Sequence, residues 1–263
     1  MTTIENATVV SYSLARAERY AAGRALRAKA SRVSHGEWAA ASDRPDPISL
    51  LEEENRTRVT ELVPIRYGRM SLSPFTFLRG SARVMASDLA KTPVSGITVQ
   101  LCGDAHLSNF GFFATPERNL VFDVNDFDET LPGPWEWDLK RLAASIVVAG
   151  RQNGYTAQEN RQAVIGCVVE YRRMMQHMAS MGALDVWYQH LDIGQILELA
   201  KTKGREALQK QVEKAKQQRT NLGTFPKLTE QVEGTYRIKD EPPLIDSTLR
   251  RPGRCQKDAA AFS

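Results

Sequence analysis

Residues 99–145, VQLCGDAHLSNFGFFATPERNLVFDVNDFDETLPGPWEWDLKRLAAS, gather Asp104, His106, Asn109, Asp123, Asp126 and Asp128 among short apolar runs. Carboxylates beside such runs are costly unless hydrated, hydrogen-bonded or bound to a cation. GITVQLCG (96–103) is β-branched and bounded by glycine at both ends, and reads as a strand. GFFA and NLVFDV read as two more short strands joined by TPERN, with Pro116 suited to the first corner of a turn. A turn centred on residues 116–118 sets Asn109 opposite residues 124–126, about 5 Å away across an antiparallel pair. Asn109 and Asp126 can then share one cation, with Asp104 at the end of the first strand facing the same space. One amide and one carboxylate, with coordination positions left over, suit Mg²⁺ that also holds substrate phosphates. An aspartate that is not a ligand can accept a hydroxyl proton. Positioning, a metal and a base are the parts that phosphoryl transfer needs.

Most of the remaining chain reads as helix. Residues 12–32 are rich in Ala and Arg without proline, which predicts a helix. SDRPDPIS (42–49) breaks it, and Asp46-Pro47 starts another that the pattern carries through residue 63. SPFTFLRGSARVMASDLAKTP predicts an extended lead-in and then a helix over 81–90, with Val84, Met85 and Leu89 on one face. From Trp137 the spacing of Leu139, Leu142, Ala143, Ile146 and Val147 is helical. Tyr155 to Met181 predicts a long helix with Val164, Val168, Tyr171 and Met175 on one side. Residues 195–219 form a charged pattern without a sustained apolar heptad, which predicts a solvated helix rather than a coiled coil. Residues 225–245 read as a hairpin ending in a Pro-Pro turn, and the last fourteen carry no pattern. The expected division is a helical segment over 1–62, a catalytic-loop domain over 63–220 and an incomplete hairpin with a disordered tail over 221–263.

Composition narrows the function classes. The 263 residues carry a net charge of +4, with basic residues spread along the chain. No block of Lys and Arg interleaved with aromatics marks a nucleic-acid binder. Cys102, Cys167 and Cys255 show no CxxC spacing, which predicts a reducing compartment without disulfides or zinc. The amino terminus lacks the basic and apolar regions of a signal peptide, and LAASIVVAG is too short to span a bilayer. A cytoplasmic protein without nucleic-acid or membrane partners is the expectation.

GDAHLSNF resembles the G-D-x-H-x-x-N catalytic loop of aminoglycoside-phosphotransferase-like and choline-kinase-like enzymes. NDFDETLPGPWEWDLKRLAAS is similar to their segment in which a metal-binding Asp precedes a helix carrying a further Asp. Over residues 42–245 the phrases LVPIRYGRM, SPFTFLRG, LCGDAHLSNFG and NDFDETLPGPWEWDLKRLAAS resemble, in order, a bacterial family, domain of unknown function 2252. The resemblance implies an α+β, protein-kinase-like fold, like the C-lobe of such enzymes: mostly helical, with a small antiparallel catalytic hairpin. It implies Asp104 as catalytic base, and Asn109 and Asp126 as magnesium ligands. His106 would hold the loop's shape, and Asp138 would brace the loop from the following helix. Mg²⁺ and ATP are the implied cofactors, and a nucleotide and a small-molecule hydroxyl the implied partners. The glycine-rich loop and phosphate-gripping Lys of such enzymes have no counterpart here, so the chain reads as a truncated or frameshifted member.

Several residues keep two readings. Asp128 is either a further metal ligand or a turn residue, and Asp123 reads as a solvated strand-edge acid. Arg66, Arg69 and Arg79 suit forked contacts with phosphate, Arg79 being the candidate for the nucleotide, or they pair with acids such as Glu61 or Asp88. Trp135 and Trp137 read as packing. The alternatives to a phosphotransferase are a non-catalytic kinase-like module or gene fragment, and a haloacid-dehalogenase-like phosphatase. The last rests on VFDVNDFDETL, with Asp126 as nucleophile and Asp128 as acid/base.

Overall fold

The computed structural model describes residues 15–199 except Arg118, residues 205–206, 208–210 and 212–213, and residues 228–240. The protein is α+β, largely helical with small antiparallel sheets. The described residues fall in two compact units. One takes in residues up to Gly111 together with Asp123–His190; the other takes in Phe112–Phe122 and the residues from Leu191 onward.

The first unit begins with α1 (Arg16–Leu26), followed by α2 (Pro47–Asn55), which Asp46 caps by accepting from the Ser49 N–H at 2.8 Å. The helix expected to run through residue 63 stops at Asn55, and α3 (Val63–Met70) starts afresh with Pro64 in its first turn. Proline has no N–H to give to a preceding turn, but it fits the first turn of a new helix. The predicted extended lead-in at Ser73 is a helix instead, α4 (Pro74–Arg79). Ser73 Oγ accepts from the Thr76 N–H at 3.1 Å, and Thr76 Oγ1 accepts from the Ser73 N–H at 2.9 Å. That is a reciprocal cap with proline at the first helical position. Next comes α5 (Ala82–Leu89), within the predicted span. Leu51, Met70 and Val84 from α2, α3 and α5 make a buried cluster, with Leu50 and Tyr67 packed on it. Arg44 clamps Asp88 of α5 through Nε and Nη2 at 2.6 and 2.8 Å.

Strand β1 (Thr98–Leu101) pairs antiparallel with β4 (Leu131–Pro134), Thr98 facing Pro134 and Leu101 facing Leu131. Between them run β2 (Phe110–Ala114) and β3 (Leu120–Val124), which pair as a hairpin. The Thr115 N–H donates to the Asn119 carbonyl at 2.8 Å to close its turn. Directly after β4 the chain enters α6 (Glu136–Gln152), against which α7 (Ala157–Met178) packs. Along α7, Val164 and Tyr171 are half-buried, whereas Val168 and Met175 of the expected apolar face are exposed. A short helix α8 (Ala183–Trp187) follows.

In the second unit the Phe122 N–H donates to the Leu191 carbonyl at 3.0 Å. The unit also holds α9 (Ile193–Leu199) and a hairpin of β5 (Thr229–Val232) with β6 (Thr235–Ile238). This hairpin lies within the span read as one, while the Pro-Pro turn and the final fourteen residues lie outside the described residues. No helix among the described residues is long and apolar enough to cross a membrane.

Candidate functional site

The loop that leaves β1, Cys102–Asn109, is held by one face of α6. Leu139, Leu142, Ala143, Ile146 and Val147, whose spacing reads as helical, are half-buried on α6, and its buried residues are Glu136, Arg141, Ser145 and Gly150. The burial of polar residues has a physical cause: the loop has backbone donors and a carboxylate to satisfy, and only polar side chains can do so. Glu136 Oε1 accepts from the Ser95 N–H at 2.7 Å. Asp138 accepts from the Cys102 N–H at 2.7 Å and from the Gly103 N–H at 3.1 Å, one oxygen for each. Arg141 directs Nε and Nη2 onto Asp104 Oδ1. Ser145 Oγ accepts from the Leu107 N–H at 3.1 Å and donates to the Leu142 carbonyl at 2.7 Å. Residues 136, 138, 141 and 145 thus meet residues 95, 102–103, 104 and 107 in chain order.

Asp104 and Asn109 are both buried. The Asn109 side-chain amide donates to the Asp104 carbonyl at 2.8 Å, which closes the loop on itself. His106 Nε2 lies 3.4 Å from Asp104 Oδ2, and its Nδ1 accepts from the Ser108 N–H at 3.2 Å. A ring nitrogen that accepts leaves the proton of a neutral imidazole on the other, so Nε2–H faces the carboxylate. Phe75 of α4 meets the His106 ring edge-on, with centroids 6.3 Å apart. Arg141 also donates through Nη2 to the Leu78 carbonyl at 2.7 Å, tying the loop to the end of α4.

The segment after β3 approaches the same loop. The Asn125 N–H donates to the Asn109 carbonyl at 3.0 Å, which brings these two stretches side by side. The Cys102 thiol donates to the Asp126 carbonyl at 3.4 Å, and Thr130 Oγ1 donates to the Leu101 carbonyl at 2.7 Å. Asp126 and Asp128 are exposed, and the Asp128 N–H donates to Asp126 Oδ1 at 3.3 Å in a side-chain turn. Asp123 is exposed at the strand edge and accepts from the Val124 N–H at 2.7 Å. Gly103 permits the close approach: its φ is +85°, and a β-carbon there would lie 2.0 Å from the Glu129 carbonyl oxygen.

The electrostatics are those of crowded acids. Burial raises the Glu129 pKa, and the negative charges of Asp104, Asp126, Asp128 and Glu54 raise it further. Burial likewise pushes the Cys102 thiol up to about 11, with Asp138, Asp104 and Asp126 adding to the effect. Burial raises Asp138 as well, against the opposing pull of the Cys102 and Gly103 N–H groups and of Arg141. Among the described residues no three His, Cys, Asp or Glu side chains converge at metal-ligand spacing. A magnesium ion that also takes substrate oxygens and water needs only one or two protein donors, and Asn109, Asp126 and Asp128 carry hard oxygens of that kind on two adjoining stretches, the first buried and the other two exposed.

The basic stretch of residues 66–79 separates. Arg66 is engaged by Glu54 at 3.2 Å, Asn55 Oδ1 at 3.0 Å and the Gly80 carbonyl at 2.7 Å. Arg79 is exposed in the last turn of α4, and its side chain makes no hydrogen bond or ion pair among the described residues. Trp135 stacks on Tyr171 with ring centroids 5.9 Å apart and donates to Ser95 Oγ at 3.0 Å, a packing role. Sequence reasoning passed over Arg141, Ser145 and Glu129. The available signal for the first two was their spacing from Asp138, which puts all three on one helical face.

No curated protein and no solved structure shows a significant match to the chain. The model of a family described as an uncharacterized protein conserved in bacteria, DUF2252, matches residues 58–256, and that span contains the braced loop, the acidic segment and α6. With most of its length inside that match, the chain belongs to the DUF2252 family.

Proposed function

We propose that this protein is a kinase-like, magnesium-dependent phosphotransferase that moves the γ-phosphoryl group of ATP to a hydroxyl of a small molecule. The observation that carries the reading is the bracing of the Asp104 loop. Asp138 takes the two N–H groups just before Asp104, and the Asn109 amide takes the Asp104 carbonyl. Catalysis of phosphoryl transfer is largely positioning and electrostatics, so a rigid carboxylate beside hard-oxygen donors is the relevant equipment.

In the reaction the acceptor oxygen forms a bond to the γ-phosphorus, and the bond from that phosphorus to the β,γ-bridging oxygen breaks. The acceptor's proton goes to Asp104, and ADP leaves. Oδ2 is the oxygen for this role, because Oδ1 is taken by Arg141. Asn109 and Asp126, with Asp128 beside them, are the residues that would hold Mg²⁺. The ion would offset the charge on the phosphates. Arg79, exposed and unpaired among the described residues, is the guanidinium available to a nucleotide phosphate.

A haloacid-dehalogenase-like phosphatase is the weaker reading. It would make Asp126 the nucleophile, whereas Asp126 is exposed just past a two-stranded hairpin. It also leaves the bracing of Asp104 without a purpose. The test is ADP formation from Mg·ATP with a panel of sugars, amino alcohols and nucleosides. Wild type should form ADP, and Asp104→Ala should form none. Phosphate release that survives Asp104→Ala but not Asp126→Asn would favour the phosphatase, and an inert wild type would leave a non-catalytic module.

A further inference from the structure

Arg141 is 2% exposed and, among the described contacts, meets Asp104, the Leu78 carbonyl and the Met85 sulfur, the last at 3.5 Å. A buried guanidinium is costly to desolvate, and a lysine or an apolar side chain would fill much of the space without its forked donors. Its fork makes two attachments to different parts of the unit. Two nitrogens converge on Oδ1 of Asp104, and Nη2 also reaches the backbone at the end of α4. The carboxylate is thereby fixed in rotation, since Oδ1 is tied to a group that is itself tied to two helices. His106 meets the other oxygen only at 3.4 Å, a contact long enough to yield to a hydroxyl.

We infer that Arg141 is the positioning residue of the site: it turns Asp104 so that Oδ2 is presented to the acceptor hydroxyl. This rests on the phosphotransferase reading of the same site. Arg141 does not touch substrate; it acts through the orientation of Asp104. Because the fork also grips the Leu78 carbonyl, the position of α4 sets the orientation of Asp104.

The experiment is steady-state ADP formation from Mg·ATP by wild type, Asp104→Ala and Arg141→Lys, the last keeping the charge and losing the fork. Displacing a reacting group by about 1 Å costs on the order of a hundredfold. Arg141→Lys should therefore lower kcat by roughly that factor and leave KM for Mg·ATP unchanged. An unchanged kcat, or a kcat that falls only as KM rises, overturns the inference. An active wild type, a dead Asp104→Ala and a fully active Arg141→Lys sink this inference alone. A wild type that forms no ADP sinks the phosphotransferase reading and this inference with it. Should Arg141→Lys not fold, a crystal structure of wild type with Mg²⁺ and a non-hydrolysable ATP analogue decides. Asp104 Oδ1 on Arg141 with Oδ2 toward the γ-phosphate supports the inference, and a carboxylate released from Arg141 overturns it.

Discussion

Gly103 lies so close to Glu129 that a β-carbon on it would stand 2.0 Å from the Glu129 carbonyl oxygen and 2.6 Å from the carbonyl carbon. Both are backbone atoms, so no rotamer change relieves the clash. Gly103→Ala should therefore cost well beyond the roughly 1–2 kcal/mol of a left-handed alanine. Gly154 is the internal control: its φ is +78° but its surroundings are open, so Gly154→Ala should cost only about that backbone strain. Urea melts of the two variants make the comparison, and equal losses would contradict the close approach.

Asp138 holds two N–H groups with two oxygens. Asp138→Asn replaces one acceptor by an NH₂ that faces a backbone donor, leaving that donor unpaired. The expected loss is about 1–3 kcal/mol in a urea melt. A variant as stable as wild type would mean that the bracing contributes nothing to the fold.

Glu129 gives a pH dependence with a definite sign. Its native pKa stands above the ordinary 4.5, first through burial and then through Asp104, Asp126, Asp128 and Glu54. Its stabilising contribution is thus fully present below the ordinary glutamate range and is lost as pH rises through the raised native value. Glu129→Gln removes the ionisation. It should melt higher than wild type at pH 7, and the gap should close by pH 4. A gap that is the same at both pH values would contradict the crowding of acids.

Cys102 should be inert in the native protein. It is 8% exposed, and its thiol is pushed up to about 11, whereas the thiolate is the reactive form. Iodoacetamide at pH 8, followed by peptide mapping, should leave Cys102 unmodified until urea is added. Native labelling as fast as in urea would contradict its environment.

The strand at 98–101 and the hairpin around Pro116 were legible because β-branched and apolar runs there are bounded by Gly and Pro. Other elements were hidden by their composition. LPGP reads as turn, yet β4 pairs with β1 along its length; proline is tolerated in an edge strand whose N–H need not bond. Ser73-Pro74 reads as extended, yet it caps α4. On α6 the helix was legible, and the polar side chains by which it holds the loop were not. Hydropathy assigns polar residues to solvent, whereas Asp138, Arg141 and Ser145 turn toward the loop's own polar groups. Of the site, the cluster from Asp104 to Asp128 was visible as a density of acids. Its tie to Arg141 spans 37 positions and emerges only from the packing of α6 along the loop.

Calorimetric titration of Mg·ATP into wild type and into the Asn109→Ala, Asp126→Asn double variant bears most directly on the proposed site. Binding by wild type that requires Mg²⁺, and that is lost in the double variant, is the expected result. Equal affinity with and without the ion, or undiminished Mg²⁺-dependent binding by the double variant, would contradict a shared cation at residues 109 and 126.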